Sequence, residues 1–293
     1  MKFQASRRGP AALALALGLL APVAGRTAAP PPPAVPPAPA YAAADWKRVD
    51  PANLLVIDTT KGRVVVELAP ALAPEHVARI KDLAHQGYYD GLKFFRVIDN
   101  FMVQTGDKAN TGAGESGVPT LKGTFNFRRS PDMPFAGAKN PRGGTFGFMG
   151  PMPVYTQPDE LAALTADGKV KAWAAYCPGV AGMARTADEN SASAQFFLMR
   201  QAFPTLEDQY TAWGRVVAGL DVVRAIAVGE PPPNPDAMTR VRMVADLPAA
   251  ERPDVWRIDP ASADFRAHMD AVAAARGAQF TPCDIDVPSE IRK

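Results

Sequence analysis

The segment from Phe94 to Asp107, FFRVIDNFMVQTGD, restricts the fold more than any other stretch, because it joins a strand pattern to a turn and an oddly composed surface. Read with period two, Phe94, Arg96 and Ile98 point one way, and Phe95 and Val97 point the other. A lone guanidinium therefore shares a face with large apolar side chains. Asp99-Asn100 is a good turn pair and breaks the strand. Phe101, Met102 and Gln104 follow at once, so an arginine at the strand end can overhang an apolar hollow with an amide on its rim. Such a surface suits gripping a weakly polar substrate, not cutting one. Taken alone, the segment favours a plainer outcome, a solvated arginine beside core Phe and Met.

The wording reverses those odds. It resembles the signature of the cyclophilin-type peptidyl-prolyl isomerases, in which Phe, His, Arg, Val and Ile precede a turn, then Phe-Met and a Gln before Gly-Asp. Two further blocks resemble the same family in the same order. Gly182 to Arg200, GMARTADENSASAQFFLMR, is similar to the other half of the family's pocket in its bacterial form. Leu206 to Ile226, LEDQYTAWGRVVAGLDVVRAI, is similar to the next strand and final helix. The likeness spans roughly Asn53 to Leu247.

The resemblance implies a mainly β fold, a closed antiparallel β-barrel capped by two α-helices, that isomerises X-Pro bonds in proline-containing polypeptides. It implies Arg96 as the catalytic group, and Phe101, Met102, Phe197 and Leu206 as the floor and wall that receive the proline ring. Gln104, Ala184 and Arg185 match positions that hold the substrate main chain, with Gln195 orienting them from behind and Tyr210 completing the substrate-binding set. No cofactor or metal is implied. Phe95 and Tyr210 stand where many members carry His, Thr205 where some carry Trp, and Ala194 where Ser usually precedes Gln. The reaction needs no general base, so the missing histidines do not preclude turnover, whereas Thr205 implies a weak hold on the family inhibitor cyclosporin. The alternative is a non-catalytic proline-binding chaperone or holdase, in which the changed rim and a long insertion favour retention over turnover.

Other patterns fit the same order of elements. Asn53 to Leu68 reads as two β-rich runs around a Lys61-Gly62 turn. Pro74 suits the first turn of a helix with Val77, Ile80 and Leu83 on one face, closed by Gly87. A last strand is expected at Thr239 to Ala245. Phe125-Asn126-Phe127 looks like a family strand, but Arg128 to Cys177 is far longer than the usual connection. This apolar insertion is expected to fold onto the barrel beside the substrate groove, with Thr156 and Asp159 as a capping box for a short helix. Val170 to Tyr176 fits either a helical turn or a strand. In the extension from Pro248 to Lys293, Ala261 to Arg276 has helical spacing, with Phe265, Met269 and Val272 on one side.

The N-terminus reads as an export signal over residues 1–25: Lys2, Arg7 and Arg8 precede the apolar run Ala11 to Leu20, which is too short to span a bilayer. A Pro/Ala-rich linker follows over 26–52, then the cyclophilin-like domain over 53–247 and the extension over 248–293. A periplasmic or secreted monomer is expected, with no stable membrane insertion once the signal is removed. Of the 293 residues, 47% are hydrophobic, enough for a packed core, and a net charge of +2 gives no argument for nucleic acid as a partner. Export makes a Cys177–Cys283 bridge possible, and two isolated thiols are equally compatible with the sequence. Gly112 to Gly117 satisfies GxGxxG, but Val118-Pro119 follows and no helix opens, so it reads as a loop. His76, His85 and His268 lack metal-ligand spacing and read as surface or helix-face residues. No GxSxG surrounds any serine.

Overall fold

The structure is a computed structural model that describes residues 34–114, 116–138 and 145–292. The expected export signal, the first part of the linker and Glu115 of the glycine-rich loop lie outside the described residues. In chain order the strands begin with β1 (Trp46–Arg48), β2 (Leu54–Thr59), β3 (Gly62–Leu68), β4 (Arg96–Ile98) and β5 (Met102–Thr105). Next come β6 (Phe127–Arg129), β7 (Ala136–Ala138), β8 (Thr145–Met149), β9 (Met152–Thr156) and β10 (Val170–Ala174). The last are β11 (Val180–Met183), β12 (Phe196–Met199), β13 (Ala212–Ala218), β14 (Met238–Met243), β15 (Asp254–Ile258) and β16 (Ser289–Arg292). Three α-helices accompany them among the described residues: α1 (Pro74–His85), α2 (Leu220–Ala225) and α3 (Ala263–Arg276).

Eight strands form one curled antiparallel sheet in the order β14-β2-β3-β13-β11-β12-β5-β4. The β2–β3 hairpin is where the Lys61-Gly62 turn put it, and its side chains alternate between two cores. Leu55, Ile57, Val64 and Val66 face the principal core with α1, while Leu54, Val56 and Val65 face a smaller cluster with Val49, Val244 and Val255. No continuous ladder closes the sheet. Its two edges are stitched by isolated bridges, Lys93 with Ala237 and Val97 with Gly229, and by backbone hydrogen bonds of Gly91 and Leu92 with Met238 and of Phe94 with Asp236, so the expected closed barrel is seen as a curled sheet with stitched edges. The alternation expected across Phe94 to Ile98 also fails at its start. Regular strand begins at Arg96, and Phe94 is buried in the same core as Val97 instead of sharing the face of Arg96.

A second sheet, β6-β10-β9-β8-β7, is built from the insertion. Phe127 opens it, pairing with Ala172, so the run that resembled a family strand leaves the main sheet here. Val170–Ala174 is a strand, not a helical turn. Asp159–Leu164 is a short 3-10 helix without the expected capping box, because Thr156 Oγ1 accepts instead from Arg129 Nε at 3.0 Å and Asp159 pairs with the buried Arg129 guanidinium. The third sheet, β1-β15-β16, joins the N-terminal segment to the C-terminal extension. Trp46–Arg48 thus forms a strand inside the stretch read as a linker.

The helix expected in the extension is α3, with Ser262 as its N-cap, and it packs on the insertion rather than on the principal core. Phe146 and Phe148 of β8 meet Phe265, Met269 and Phe280 there, with Tyr41 and Trp46 at the edge. Cys177, at the end of the insertion, is bridged to Cys283 of the extension. A buried ion pair, Arg257 Nε with Glu67 at 3.0 Å, ties β15 to β3. His76 is not a surface residue: it is fully buried in α1 with neither ring nitrogen hydrogen-bonded, and burial pulls its pKa down to about 4. No helix among the described residues is long and apolar enough to cross a membrane.

Candidate active site

Four neighbouring strands set the site. Arg96 of β4 lies opposite Gln104 of β5, Gln104 lies opposite Phe197 of β12, and Phe197 lies opposite Gly182 of β11. Directly opposed residues in antiparallel strands project from the same face, so this single row delivers a guanidinium, an amide and a phenyl ring side by side. Gly182 ends the row for a steric reason. A Cβ there would come within 2.5 Å of the Phe197 ring and 3.0 Å of the Tyr176 hydroxyl. Met102, two residues before Gln104 and opposite both Ile98 and Met199, adds its side chain to the same face.

Nine of the ten residues singled out in the sequence line one cavity of about 190 Å³: Arg96, Phe101, Met102, Gln104, Ala184, Arg185, Phe197, Leu206 and Tyr210. The tenth, Gln195, stands behind it and accepts a hydrogen bond from Gln104 Nε2 at 3.1 Å. Met102, Phe197 and Leu206 are nearly inaccessible to water, whereas the Arg96 side chain keeps 39% of its surface exposed. The cavity is thus greasy at its base and charged at its rim. It is smaller than the roughly 300–1,000 Å³ usual for whole small-molecule sites, which suits one side chain or ring rather than a compact ligand.

Hydrogen bonds fix the rim. Arg96 Nη1 donates to Gln104 Oε1 at 3.4 Å, Gln104 donates to Gln195, and Gln195 Nε2 donates to the Gly112 carbonyl at 3.3 Å. That loop is in turn wrapped around Asp107. Burial acts to raise the Asp107 pKa, but hydrogen bonds from the backbones of Thr111, Ala109, Gly112 and Gly114 outweigh it and hold the carboxyl below its usual range. The GxGxxG pattern therefore serves as a rim loop with no helix after it.

Two expected substrate-holding groups are already engaged. The Ala184 N–H donates to the Gln195 carbonyl at 2.9 Å, and Arg185 donates to the carbonyls of Gln209 and Thr186 while its guanidinium lies 4.4 Å from the Tyr210 ring centroid. Arg185 anchors its loop and closes the far side of the cavity.

The sequence reading missed two neighbours. Glu230 accepts from Arg96 Nε at 2.6 Å across a separation of 134 residues, and no local pattern links the two positions. Tyr176, from the end of the insertion, backs Phe197 with ring centroids 6.0 Å apart. The insertion thus buttresses the cavity from behind. None of its residues lines the cavity, so the expected approach to the substrate groove is met from the rear. A wider groove of about 520 Å³ lies on the other side of Arg96, bounded by Phe95, Asn110 to Ala113, Glu230 and Pro231. Among the described residues no group of three or more His, Cys, Asp or Glu is placed to hold a metal ion.

The family model described as cyclophilin type peptidyl-prolyl cis-trans isomerase/CLD matches residues 54–245. A probable peptidyl-prolyl cis-trans isomerase of Brucella suis biovar 1 is 34% identical over 204 residues, covering 67% of this chain and 85% of that protein. Peptidyl-prolyl cis-trans isomerase-like 1 of Aspergillus niger is 29% identical over 174 residues, covering 59% and 81%. Among solved structures, the cyclophilin AquaCyp293 from Hirschia baltica is similar with a TM-score of 0.75 and 38% identity, over 84% of this chain and 93% of that one. That likeness extends well beyond residues 54–245, so it takes in part of the flanking segments as well.

Proposed function

The chain belongs to the cyclophilin-type peptidyl-prolyl cis-trans isomerases, and from that premise we propose that Arg96 is the catalytic group, acting over an apolar pocket for proline in exported polypeptides. The observation that carries this reading is the shared cavity, in which residues from distant parts of the chain place a guanidinium and an amide beside a base of Met102, Phe197 and Leu206.

The chemistry follows from the X-Pro bond. Its partial double-bond character gives a barrier of about 20 kcal/mol, so uncatalysed rotation takes tens of seconds or longer. Halfway through rotation, amide resonance is lost and the prolyl nitrogen becomes pyramidal, with a lone pair able to accept a hydrogen bond. A planar imide has no such lone pair to offer. Arg96 donating there stabilises the twisted state over either ground state, which is the condition for raising the rate.

The arginine does not suffice alone. A gain of roughly 10^5 requires about 7 kcal/mol, and one charged hydrogen bond supplies about 1.5–3. The apolar base contributes the rest by seating the proline ring, excluding water and strengthening the guanidinium's field. Gln104 holds the chain on one side while the other side turns. Thr205 stands where some members carry the Trp that helps grip cyclosporin, so weak inhibition belongs to the same reading.

Export is part of the proposal. The apolar run at Ala11 to Leu20 has the length of a signal, and a Cys177–Cys283 bridge suits an oxidising compartment.

The test is an isomerisation assay with a proline peptide on the protein and on Arg96→Ala, with peptide binding measured alongside. The expected result is acceleration by the protein and a loss of about 100-fold in kcat/KM for the variant, of the size seen when one transition-state donor is removed, with binding largely kept. Binding without acceleration by the unaltered protein would instead identify a holdase.

A further inference from the structure

We propose that Glu230 is a positioning residue for Arg96, holding the guanidinium so that its remaining N–H groups face the proline cavity. This rests on the assignment of Arg96 made above. Arg96 Nε donates to Glu230 Oε2 at 2.6 Å and Nη1 donates to Gln104 Oε1 at 3.4 Å, so two edges of a planar group are fixed at once. Two such anchors define the plane of the fork. Nη2 has no hydrogen-bond partner among the described residues and is left for a substrate.

Stability does not account for the pair. Both side chains are partly in solvent, with 39% and 52% of their surfaces exposed, and exposed ion pairs add little to folding. What the contact supplies is direction. A flexible arginine that must find its orientation during each turnover loses rate, whereas one already aimed does not.

The fold places Glu230 deliberately beside Arg96. Val97 and Gly229 exchange two backbone hydrogen bonds, at 2.8 and 3.0 Å, so the residues next to them are brought together by the main chain. Gly229 is required for that turn, because a Cβ would come within 2.5 Å of Pro232 Cα. The far end of the loop is pinned as well: the Asp236 carbonyl accepts from Phe94 N at 2.9 Å, and its carboxylate accepts from Ala227 N at 2.9 Å. Glu230 therefore sits on a loop stitched on both sides to the strand it serves.

A brake would look different. A carboxylate that competed with substrate would stand in the proline cavity and occupy the Nη groups. Glu230 instead takes Nε and borders the neighbouring groove, not the cavity.

The decisive experiment measures kcat and KM for a proline peptide with Glu230→Ala and Glu230→Gln, and repeats Glu230→Ala in an Arg96→Ala background. Expected for Glu230→Ala is a fall in kcat of about tenfold, equivalent to about 1.4 kcal/mol of barrier, with KM and melting temperature nearly unchanged. Glu230→Gln, which keeps an oxygen acceptor, recovers most of the rate. In the Arg96→Ala background Glu230→Ala has no further effect. An unchanged or increased kcat in the otherwise unaltered protein, or the same fractional loss without Arg96, overturns the proposal. Full activity in Arg96→Ala would sink the assignment of Arg96 itself. An inactive Arg96→Ala beside a fully active Glu230→Ala would remove only the role of Glu230.

Discussion

The proposed proline cavity and the core beneath α3 are both aromatic, yet one is left open and the other is filled. Phe101, Met102, Phe197 and Leu206 surround a hollow because a cross-strand row ends at a glycine and begins with a charge. Phe146, Phe148, Phe265 and Phe280 close on one another with ring centroids 4.9–5.5 Å apart. The open region draws its geometry from the register of neighbouring strands. The filled one draws its geometry from segments that are remote in sequence, namely Tyr41 and Trp46, the insertion and the extension. The lesson is a division of labour, in which chemistry depends on register and the second core depends on whatever holds distant segments together.

The largest expected effect separates the two. The Cys177–Cys283 bridge closes a loop with a sequence separation of 106, and removing both thiols by Cys177→Ala/Cys283→Ala should cost about 4–5 kcal/mol on the chain-entropy account. Urea unfolding would register that loss. Proline turnover well below the melting temperature should stay within about twofold, since the bridge stabilises chiefly through the unfolded chain. A folded variant that no longer turns over substrate would break the division.

A smaller effect lies at the border between the regions. Burial pushes the Glu207 carboxyl up to about 7 from its ordinary 4.5, against a partly offsetting hydrogen bond from the Tyr176 backbone. The folded state therefore keeps this proton at a pH where the unfolded state has lost it. Stability tied to Glu207 is complete below about pH 4.5, falls as pH rises to about 7 and is flat above that. The ceiling is about 3 kcal/mol, and because the residue is only part-buried, solvent screening brings the expected drop to about 1 kcal/mol. Unfolding curves at pH 5 and pH 7.5 should differ in this sense for the protein, and Glu207→Gln should remove that component.

The smallest effect sharpens the contact itself. The Tyr176 hydroxyl is buried without a hydrogen-bond partner behind Phe197. Tyr176→Phe should therefore raise stability by about 1 kcal/mol and leave kcat/KM unchanged, as thermal melting and the peptide assay would show. A lower rate would mean that the hydroxyl shapes the cavity and that the border is not passive.

What the sequence made legible follows the same division. The row Arg96, Gln104, Phe197 could be found because each residue sits in a dense block that resembles a family signature, and the β2–β3 hairpin because its turn is local. Glu230 was invisible because its link to Arg96 runs through one isolated bridge at Val97 and Gly229. Trp46–Arg48 looked like linker because a three-residue edge strand has too few residues to show a period, and its partners in β15 lie more than 200 positions away. His76 looked like a helix-face residue because helical spacing does not reveal that its face is covered. Periodicity reports what a segment presents, and only contacts report what covers it.

The central claim is that a planar, aimed guanidinium over the proline cavity carries the rate, and Arg96→Lys tests it most directly by keeping the charge and removing the fork. The account predicts a fall in kcat of about 100-fold, measured by exchange spectroscopy on a proline peptide, with an unchanged fold and near-normal peptide binding. Wild-type kcat in Arg96→Lys would contradict it, because a point charge would then serve as well as a directed donor.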